Sequence, residues 1–256
     1  MRVMIKRVTD GKITLQETSK IAIITINRPL ARNALTSNMW SELARIGKTI
    51  ETNQKNKVVI LKGVTGQFSA GSDIKEFCSM SVEEANQSFT KMEEAISTFE
   101  NISLPVIGVI DGPAMGAGFV LSLACDIRIG TRNTKMGIPV GRLGITLGPA
   151  FVRRIIRLIG PSRTKELVYT GKHYDYHEAK QLGLLNQLVE NVEELDHYYL
   201  KLAETISSQS IASLRAVKKS VEPCEWKQER EWKYVDPVDF YEGCLSFVEK
   251  RKPRFR

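Results

Sequence analysis

The chain has 256 residues, of which 42% are hydrophobic and 26% are charged, as is typical of a soluble globular protein with one large core. Its formal net charge is +8, but lysine and arginine are spread along the chain, so the charge alone does not favour nucleic acid over another anionic partner. Met1 begins no cationic, apolar leader, the longest apolar region is broken by Asp111, prolines and glycines, and the four cysteines form no CxxC pair. We therefore expect a cytoplasmic protein with reduced cysteines and no membrane span.

The N-terminal half alternates between strand-like and helical patterns. Residues 1–15 predict an edge hairpin, and residues 21–26 and 58–62 predict buried strands. Thr36 or Ser37 is predicted to cap an amphipathic helix between those two strands. A capping box that begins at Ser81 starts another helix, whose stripe of phenylalanine and methionine we assign to the core. This order predicts an α/β fold of parallel strands joined by right-handed crossovers.

The C-terminal half is richer in turns and helices. Residues 136–148 read as a turn-rich segment, and a helix over 149–159 should end at Gly160. Asp175 and Asn191 are predicted to cap two further helices. The chain therefore divides into a strand-containing core and a helical C-terminal part.

Residues 104–130 combine a buried strand, a glycine turn, a buried helix and a further short strand. Gly116, Ala117 and Gly118 lie where the helix begins, so their N–H groups should lack an intrahelical partner and could hold an anion or a developing oxyanion. The same small residues would equally suit close packing. Dinucleotide binding is set aside because Leu121 stands where GxGxxG needs its third glycine, and no P-loop occurs.

A second glycine turn strengthens the oxyanion interpretation. FSAGSDI (68–74) and PVIGVIDGPAMGAGF (105–119) together resemble the two signature stretches of the enoyl-CoA hydratase/isomerase (crotonase) superfamily. The resemblance runs from about Ile21 to the C-terminus. It includes NRPLARNAL (27–35), TGKHYDYHEAKQLGLLNQLV (170–189) and EGCLSFVEKRKPRF (242–255).

The resemblance implies a ClpP/crotonase-like fold of ββα-type units, with an acyl-CoA-binding core over 1–191 and a helical region over 192–256 for assembly and site closure. It implies an acyl-CoA thioester as substrate, with coenzyme A as part of that substrate and no separate cofactor. The family forms trimers and dimers of trimers, so a homotrimer or a dimer of trimers is expected.

The resemblance also implies a site in which the N–H groups of Ser72 and Ala117 bind the thioester oxygen and stabilise an enolate. The CoA moiety should follow 29–35 and 70–74, with Arg32 and the basic cluster 250–252 as phosphate partners, although that cluster also reads as a basic tail. The implied substrate-binding residues are Ala31, Arg32, Ala70, Asp73, Ile74, Gly116, Pro139, Val140 and Leu147.

Two departures from the family pattern bear on the reaction. Family hydratases carry a glutamate at the positions of Val120 and Val140, and valine cannot accept a proton. Decarboxylation of a carboxylated acyl-CoA needs no base, because loss of CO₂ generates the enolate directly. Methylmalonyl-CoA decarboxylases of the family resemble this chain at Val140, but they have histidine in place of Ser72 and tyrosine near Leu147. Arg142 or Thr146 could bind the substrate carboxylate, or could be surface and turn residues.

Other roles remain open at this stage. A hydratase or isomerase would need an acid/base at another position. Alternatives from other classes are a catalytically silent acyl-CoA binder and an RNA binder. Of the two partners, nucleic acid is less favoured than an acyl-CoA. Asp73, Glu76 and Asp111 could move protons, but we interpret Asp73 as a loop stabiliser and Glu76 as part of a solvated helix face. His173 and His177 could share a helix face, but without a suitable third ligand we expect no metal site.

Overall fold

The computed structural model describes residues 4–8, 10–18, 20–64 and 66–221, together with Glu242, Glu249, Arg251 and Arg254. The described chain forms a seven-stranded sheet and a three-stranded sheet. The strands are β1 (Met4–Val8), β2 (Ile13–Glu17), β3 (Ile21–Ile26), β4 (Val58–Gly63), β5 (Val106–Ile110), β6 (Pro113–Met115), β7 (Ile127–Thr131), β8 (Lys135–Gly137), β9 (His173–Asp175) and β10 (Gln187–Val189).

Helices cover both faces of the larger sheet and the connections between strands. Short 3-10 turns occur at Pro29–Ala31, Val140–Leu143 and Val192–Glu194. The α-helices are α1 (Ser37–Thr52), α2 (Ile74–Phe77), α3 (Val82–Asn101), α4 (Ala117–Leu123), α5 (Pro149–Thr170), α6 (Tyr176–Gln181), α7 (Leu195–Ser207) and α8 (Ile211–Val221). Within the described residues, no helix has the length and apolar character needed to cross a membrane.

The larger sheet has the order β1-β2-β3-β4-β5-β7-β10. The first three strands pair antiparallel, with β1 at the edge, and the pairs from β3 to β10 are parallel. The central strands β3, β4 and β5 are almost continuously buried, as expected of parallel strands that are covered on both faces. The predicted edge hairpin and the predicted parallel pairing are both confirmed.

Each face of this sheet packs into its own hydrophobic cluster. The larger cluster joins the sheet to α1, α3, α4 and α5. The smaller one lies on the opposite face, where α7 contributes Leu195, Tyr199 and Ala203 against side chains of β3, β4 and β5. The described part of region 192–256 is thus helical as predicted, and α7 belongs to the packing of the core. The division of the chain at residue 191 stays a prediction.

The sequence missed the smaller sheet, which has the order β6-β8-β9. Its strands have three residues each, too few for a periodic pattern to show. His173 lies in β9 and His177 lies in α6, so the two histidines do not share a helix face, a possibility that the sequence analysis had weighed. Gly160 does interrupt α5, with a φ of 74°, but helical structure continues beyond it to Thr170, which the sequence did not predict.

Candidate functional site

A largely apolar cavity lies where both glycine turns meet the helices α2, α3 and α5. It encloses about 690 Å³, counting the part that is open to solvent. The cavity brings together residues that the sequence analysis had singled out from three separate segments of the chain. They are Ala70, Ser72, Ile74, Gly116, Ala117, Val120, Pro139, Val140, Thr146 and Leu147.

The remaining walls come from residues that the sequence analysis did not assign to the site. Phe89 and Met92 belong to the α3 stripe that was interpreted as core alone, and both line the cavity. Phe89 stacks on Phe77 of α2, with ring centroids 5.3 Å apart. The sequence signal that could have indicated this part of the wall was the presence of aromatic and methionine side chains on the helix that follows the first glycine turn. The other new lining residues are Met115, Ile138, Leu143, Ile145 and Phe151.

The backbone around Ser72 is held by an isolated parallel bridge to Leu35. The N–H of Leu35 donates to the Gly71 carbonyl at 2.8 Å, and the N–H of Asp73 donates to the Leu35 carbonyl at 2.9 Å. In a strand, alternate N–H groups point to opposite sides. The N–H of Ser72 therefore points away from Leu35, and no acceptor for it occurs among the described residues.

Ala117 is the first residue of α4, so its N–H lies outside the helical hydrogen-bond ladder. The N–H of Gly116 lacks an intrahelical partner, as predicted, but it donates to the Gly137 carbonyl of β8 at 2.8 Å and is therefore not open to a ligand. The turn that contains Ala117 lies close to the glycine turn that contains Gly71. A Cβ added to Gly71, which has a φ of +94°, would lie 2.9 Å from the Ala117 nitrogen.

Two further backbone bonds hold the donor segments side by side. The N–H of Ser69 donates to the Pro113 carbonyl at 3.0 Å, and the N–H of Met115 donates to the Ser69 carbonyl at 2.9 Å. Each bonded residue is close in sequence to Ser72 or Ala117. The separation of the two unpaired N–H groups is therefore set by main-chain pairing, as a preorganised oxyanion hole requires.

The Ser72 hydroxyl is already engaged by neighbouring side chains. Trp40, which is fully buried, donates its Nε1–H to Ser72 Oγ at 3.1 Å, and Ser72 Oγ donates to Met92 Sδ at 3.3 Å. These contacts fix the Ser72 side chain against α1 and α3. What Ser72 offers to a ligand is therefore its backbone N–H.

No ionisable side chain lines the cavity within the part of the chain that the structure describes. Val120 is fully buried and Val140 is 9% exposed, and both line the cavity. Among the described side chains of the lining, the polar groups are the hydroxyls of Ser72 and Thr146, and the side chain of Arg142, the other candidate for binding a substrate carboxylate, lies outside the described part. The cavity therefore combines apolar walls with two unpaired backbone donors.

Asp73 and Glu76 lie outside this cavity and have structural partners. Arg28 contacts Asp73 at 2.6 Å. Burial alone raises the pKa of Asp73, but the hydrogen bond and charge of Arg28 outweigh it, so the pKa lies below its ordinary value. The interpretation of Glu76 as part of a solvated face was wrong, because its carboxylate accepts from the Ser37 N–H at 2.8 Å and so ties α2 to α1.

Asp111 is buried and also performs a structural role. Its carboxylate accepts from the N–H of Gly66 at 2.6 Å and from the hydroxyl of Thr131 at 2.8 Å. These bonds join the loop after β4 to the ends of β5 and β7. They leave Asp111 outside the lining of the cavity.

The predicted partners of the CoA moiety are only partly brought to the site. Ala31 and Arg32 do not line the cavity, although Arg32 borders a neighbouring groove that also contains Ala70. Arg251 pairs with Glu242 at 2.6 Å and also with Glu249. Lys250 and Lys252 of the basic cluster lie outside the described residues.

Comparisons with known proteins identify the class. The family model for enoyl-CoA hydratase/isomerase matches residues 16–256, so the chain belongs to this family, also called the crotonase superfamily. Over 94% of its length the chain is 33% identical to the mitochondrial methylglutaconyl-CoA hydratase of Mus musculus, of which it covers 81%. It is 31% identical to the short-chain-enoyl-CoA hydratase of Clostridium acetobutylicum, with 94% of this chain and 96% of that protein covered.

Solved structures confirm the crotonase fold. The structure of an enoyl-CoA hydratase/carnithine racemase from Magnetospirillum magneticum superposes with a TM-score of 0.88 at 31% identity, covering 96% of this chain and 95% of that one. The enoyl-CoA hydratase from Bacillus anthracis gives a TM-score of 0.87 at 30% identity, covering 95% and 98%. An acyl-CoA enzyme on this fold is therefore the class to which the cavity belongs.

Proposed function

We propose that this protein stabilises the enolate of an acyl-CoA thioester between the N–H groups of Ser72 and Ala117, in a reaction that needs no carboxylate from the chain. The observation that carries the proposal is the pairing of two unpaired backbone donors with a described lining that has no ionisable side chain. Preorganised donors of this kind lower a barrier by about 3–4 kcal/mol each.

Decarboxylation of a 2-carboxyacyl-CoA suits this arrangement best. The bond between Cα and the carboxylate breaks, CO₂ leaves, and the electron pair passes to the thioester oxygen as an enolate. A proton from water then restores the Cα–H bond. Because an anionic carboxylate is poorly solvated among apolar side chains and CO₂ is neutral, the lining favours movement of charge from the carboxylate to the two N–H donors.

Hydration of an enoyl-CoA is the second candidate, because the relatives that match over nearly the whole chain are named hydratases. It would require an acid/base other than Val120 and Val140. The hydroxyls of Ser72 and Thr146 are the polar side chains at hand, and neither is basic at neutral pH. Cytoplasmic location, and assembly as a homotrimer or dimer of trimers, stay predictions.

Mass spectrometry of CoA esters after incubation separates these reactions. The panel contains crotonyl-CoA, a 3-enoyl-CoA, methylmalonyl-CoA and a glutaconyl-type ester. Loss of 44 mass units as CO₂ without hydration is the expected result. A gain of water on crotonyl-CoA would instead establish a relocated acid/base, and an unchanged panel would leave a silent acyl-CoA binder.

Ala117→Pro tests the oxyanion hole directly. Proline is tolerated at the first position of a helix, so this change removes one N–H with little cost to α4. We expect turnover to fall by about 100-fold or more. Val82→Pro is the matched control, because Val82 is the exposed first residue of α3 and lies outside the cavity lining. Full activity of Ala117→Pro would contradict the assignment.

A further inference from the structure

Two stacked aromatic rings form one wall of the cavity. Phe77 is the last residue of α2, Phe89 lies in the N-terminal half of α3, and both side chains line the cavity. Their ring planes are only 14° apart. Phe89 lies three residues before Met92, whose sulfur contacts the Ser72 hydroxyl, so both side chains share one face of α3. Along α3, the aromatic pair therefore lies about one helical turn from the methionine that contacts Ser72.

A chain of hydrogen-bonded side chains connects the backbone segments that carry the two rings. In α2, Glu76 comes just before Phe77. In α3, Ser88 comes just before Phe89. The Ser37 hydroxyl of α1 lies 3.2 Å from Glu76 Oε2 and 2.7 Å from Ser88 Oγ. Because a hydroxyl donates one proton, Ser37 donates to the Glu76 carboxylate and Ser88 donates to Ser37.

This hydrogen-bonded chain is protected from solvent at its centre. Ser37 is 8% exposed and Ser88 is 3% exposed, and neither of them lines the cavity. Breaking a buried hydrogen bond leaves a polar group without a partner, which is costly. The contacts to α1 therefore hold α2 and α3 at a fixed separation where the two rings stack.

The aromatic pair lies where it can contact the acyl chain of a bound thioester. When the N–H groups of Ser72 and Ala117 hold the thioester oxygen, the acyl chain on the other side of the carbonyl from the sulfur stays in the cavity. The described lining has no ionisable side chain. Each methylene moved from water to an apolar site raises affinity about 4-fold, whereas an unpaired carboxylate loses its hydration. The cavity therefore distinguishes acyl chains by their polarity.

The proposed decarboxylation gives this preference a catalytic use. A 2-carboxylate has to leave water and enter an apolar cavity, and this desolvation opposes binding. Binding energy from a remote, non-reacting part of a substrate can offset such a cost. An apolar chain on the same Cα that packs against Phe77 and Phe89 supplies this binding energy, and an ester without such a chain lacks it.

We propose that Phe77 and Phe89 select an acyl-CoA with an extended apolar acyl chain and discriminate against one whose chain ends in a distal carboxylate. Within the proposed function, on which this inference rests, the substrate is a 2-carboxyacyl-CoA with an alkyl chain on Cα. Glu76, Ser37 and Ser88 are positioning residues, because they hold the helices that carry the rings and do not line the cavity.

Isothermal titration calorimetry with acetyl-CoA, hexanoyl-CoA and glutaryl-CoA tests the selection without requiring turnover. These saturated esters have no 2-carboxylate to lose, and hexanoyl and glutaryl chains have similar lengths. Hexanoyl-CoA should bind about 10-fold or more tightly than acetyl-CoA, because four additional carbons are buried. Glutaryl-CoA should bind no more tightly than acetyl-CoA, because its distal carboxylate has no partner in the described lining.

Phe89→Ala should lower the ratio of hexanoyl-CoA to acetyl-CoA affinity by about 10-fold, because the chain loses an aromatic face. Tyr169→Ala is the matched control, since Tyr169 is an exposed aromatic residue of α5 outside the lining, and should leave the ratio unchanged.

Ser88→Ala tests the positioning role and should lower the same ratio by about 3-fold. The double variant Ser88→Ala/Phe89→Ala should have the ratio of Phe89→Ala, because Ser88 acts through that ring. Equal weakening of all three esters by Ser88→Ala would overturn the positioning role.

The proposal is overturned if hexanoyl-CoA binds no more tightly than acetyl-CoA, if glutaryl-CoA binds as tightly as hexanoyl-CoA, or if Phe89→Ala leaves the ratio unchanged. If the ratios behave as expected while the ester panel stays unchanged, the proposed function fails and the selection by the aromatic pair stands. If the panel loses CO₂ while Phe89→Ala leaves the ratio unchanged, the selection alone fails.

Discussion

The helix α3 passes through two regions of opposite character within about one turn. Phe89 and Met92 line the cavity, whose described walls carry no charge. Directly beyond them, Glu93 and Glu100 enclose Arg154 of α5, with contacts of 2.7 and 2.6 Å, although Arg154 is only 5% exposed. The chain therefore places buried charges beside the cavity, but uses them to join two helices.

Among the described residues, the buried ion pairs and the polar groups of the cavity are therefore separate. Ion pairs between side chains hold α3 and α5 together, and these are two of the helices that form the cavity wall. In the described lining of the cavity, the polar groups are main-chain N–H groups and the hydroxyls of Ser72 and Thr146, none of which carries a charge. Changes to the ion network should therefore affect stability, and changes to the cavity should affect turnover.

The largest expected effect is on stability. Arg154→Met should lower the free energy of unfolding by about 3–5 kcal/mol, because it leaves two carboxylates without their shared partner. Urea denaturation measures the change. Arg157→Met is the control, since Arg157 pairs with Glu100 at 3.1 Å from a more exposed position and its loss should cost about 1 kcal/mol or less. Equal losses in the two variants would contradict the comparison.

Adding carboxylates to the cavity should change turnover, whereas changes to the ion network between α3 and α5 should change stability. In Val120→Glu/Val140→Glu, we expect hydration of crotonyl-CoA to rise about 100-fold above that of Val120→Gln/Val140→Gln, because general acid–base groups contribute at least that much when positioned. The glutamine pair matches the glutamates in size but cannot accept a proton. Equal hydration by the two variants would show that these positions do not face the reacting carbon.

A smaller effect is expected where side chains support the backbone donors. Trp40→Phe removes the hydrogen bond to Ser72 Oγ, typically worth about 1 kcal/mol, and should lower kcat about 5-fold with little change in KM. The double variant Trp40→Phe/Ser72→Ala should be no worse than Trp40→Phe, because both changes remove the same contact. Additive losses would mean that Trp40 acts only through packing.

The smallest expected effect is that of pH on turnover. Since the described lining carries no ionisable group, kcat should be nearly constant between about pH 6 and 9. The free energy of unfolding, in contrast, should depend on pH. Burial raises the pKa of Glu93, but hydrogen bonds from Arg154 and Ser97 lower it below its ordinary 4.5 overall. The stabilisation from Glu93 is therefore present above about pH 4.5 and is lost as the pH falls through the lower folded value. A bell-shaped kcat profile would contradict the expectation that no ionisable group of the cavity takes part in turnover.

Structural features that depend on contacts between residues close together in the sequence were predictable from the sequence. The capping box at Ser81 and Glu84 occurs as predicted because its partners lie three residues apart. Glu76 was misjudged because its partner Ser37 is 39 residues away. The acceptor of the Gly116 N–H was not predicted for the same reason, since Gly137 belongs to a strand too short to show a pattern.

In the candidate site, too, some residues could be predicted from the sequence and others could not. The two glycine turns indicated Ser72 and Ala117 as candidate backbone donors, and the fold brings both residues to one cavity. The aromatic wall could not be predicted, because Phe89 and Met92 follow the spacing of an ordinary buried stripe. Only the arrangement of α2, α3 and α5 around the turns makes that stripe part of a cavity.

The bridges from Leu35 to Ser72 and from Ser69 to Ala114 give this site a modular character. Because main-chain pairing holds the donors, their geometry is insensitive to which side chains occupy the cavity. Residues such as Val120 and Val140 could therefore be exchanged one at a time during evolution without disturbing the backbone of the proposed oxyanion hole. New reactions could then evolve through changes in the side chains of the cavity, while the backbone segments around Ser72 and Ala117 stay the same.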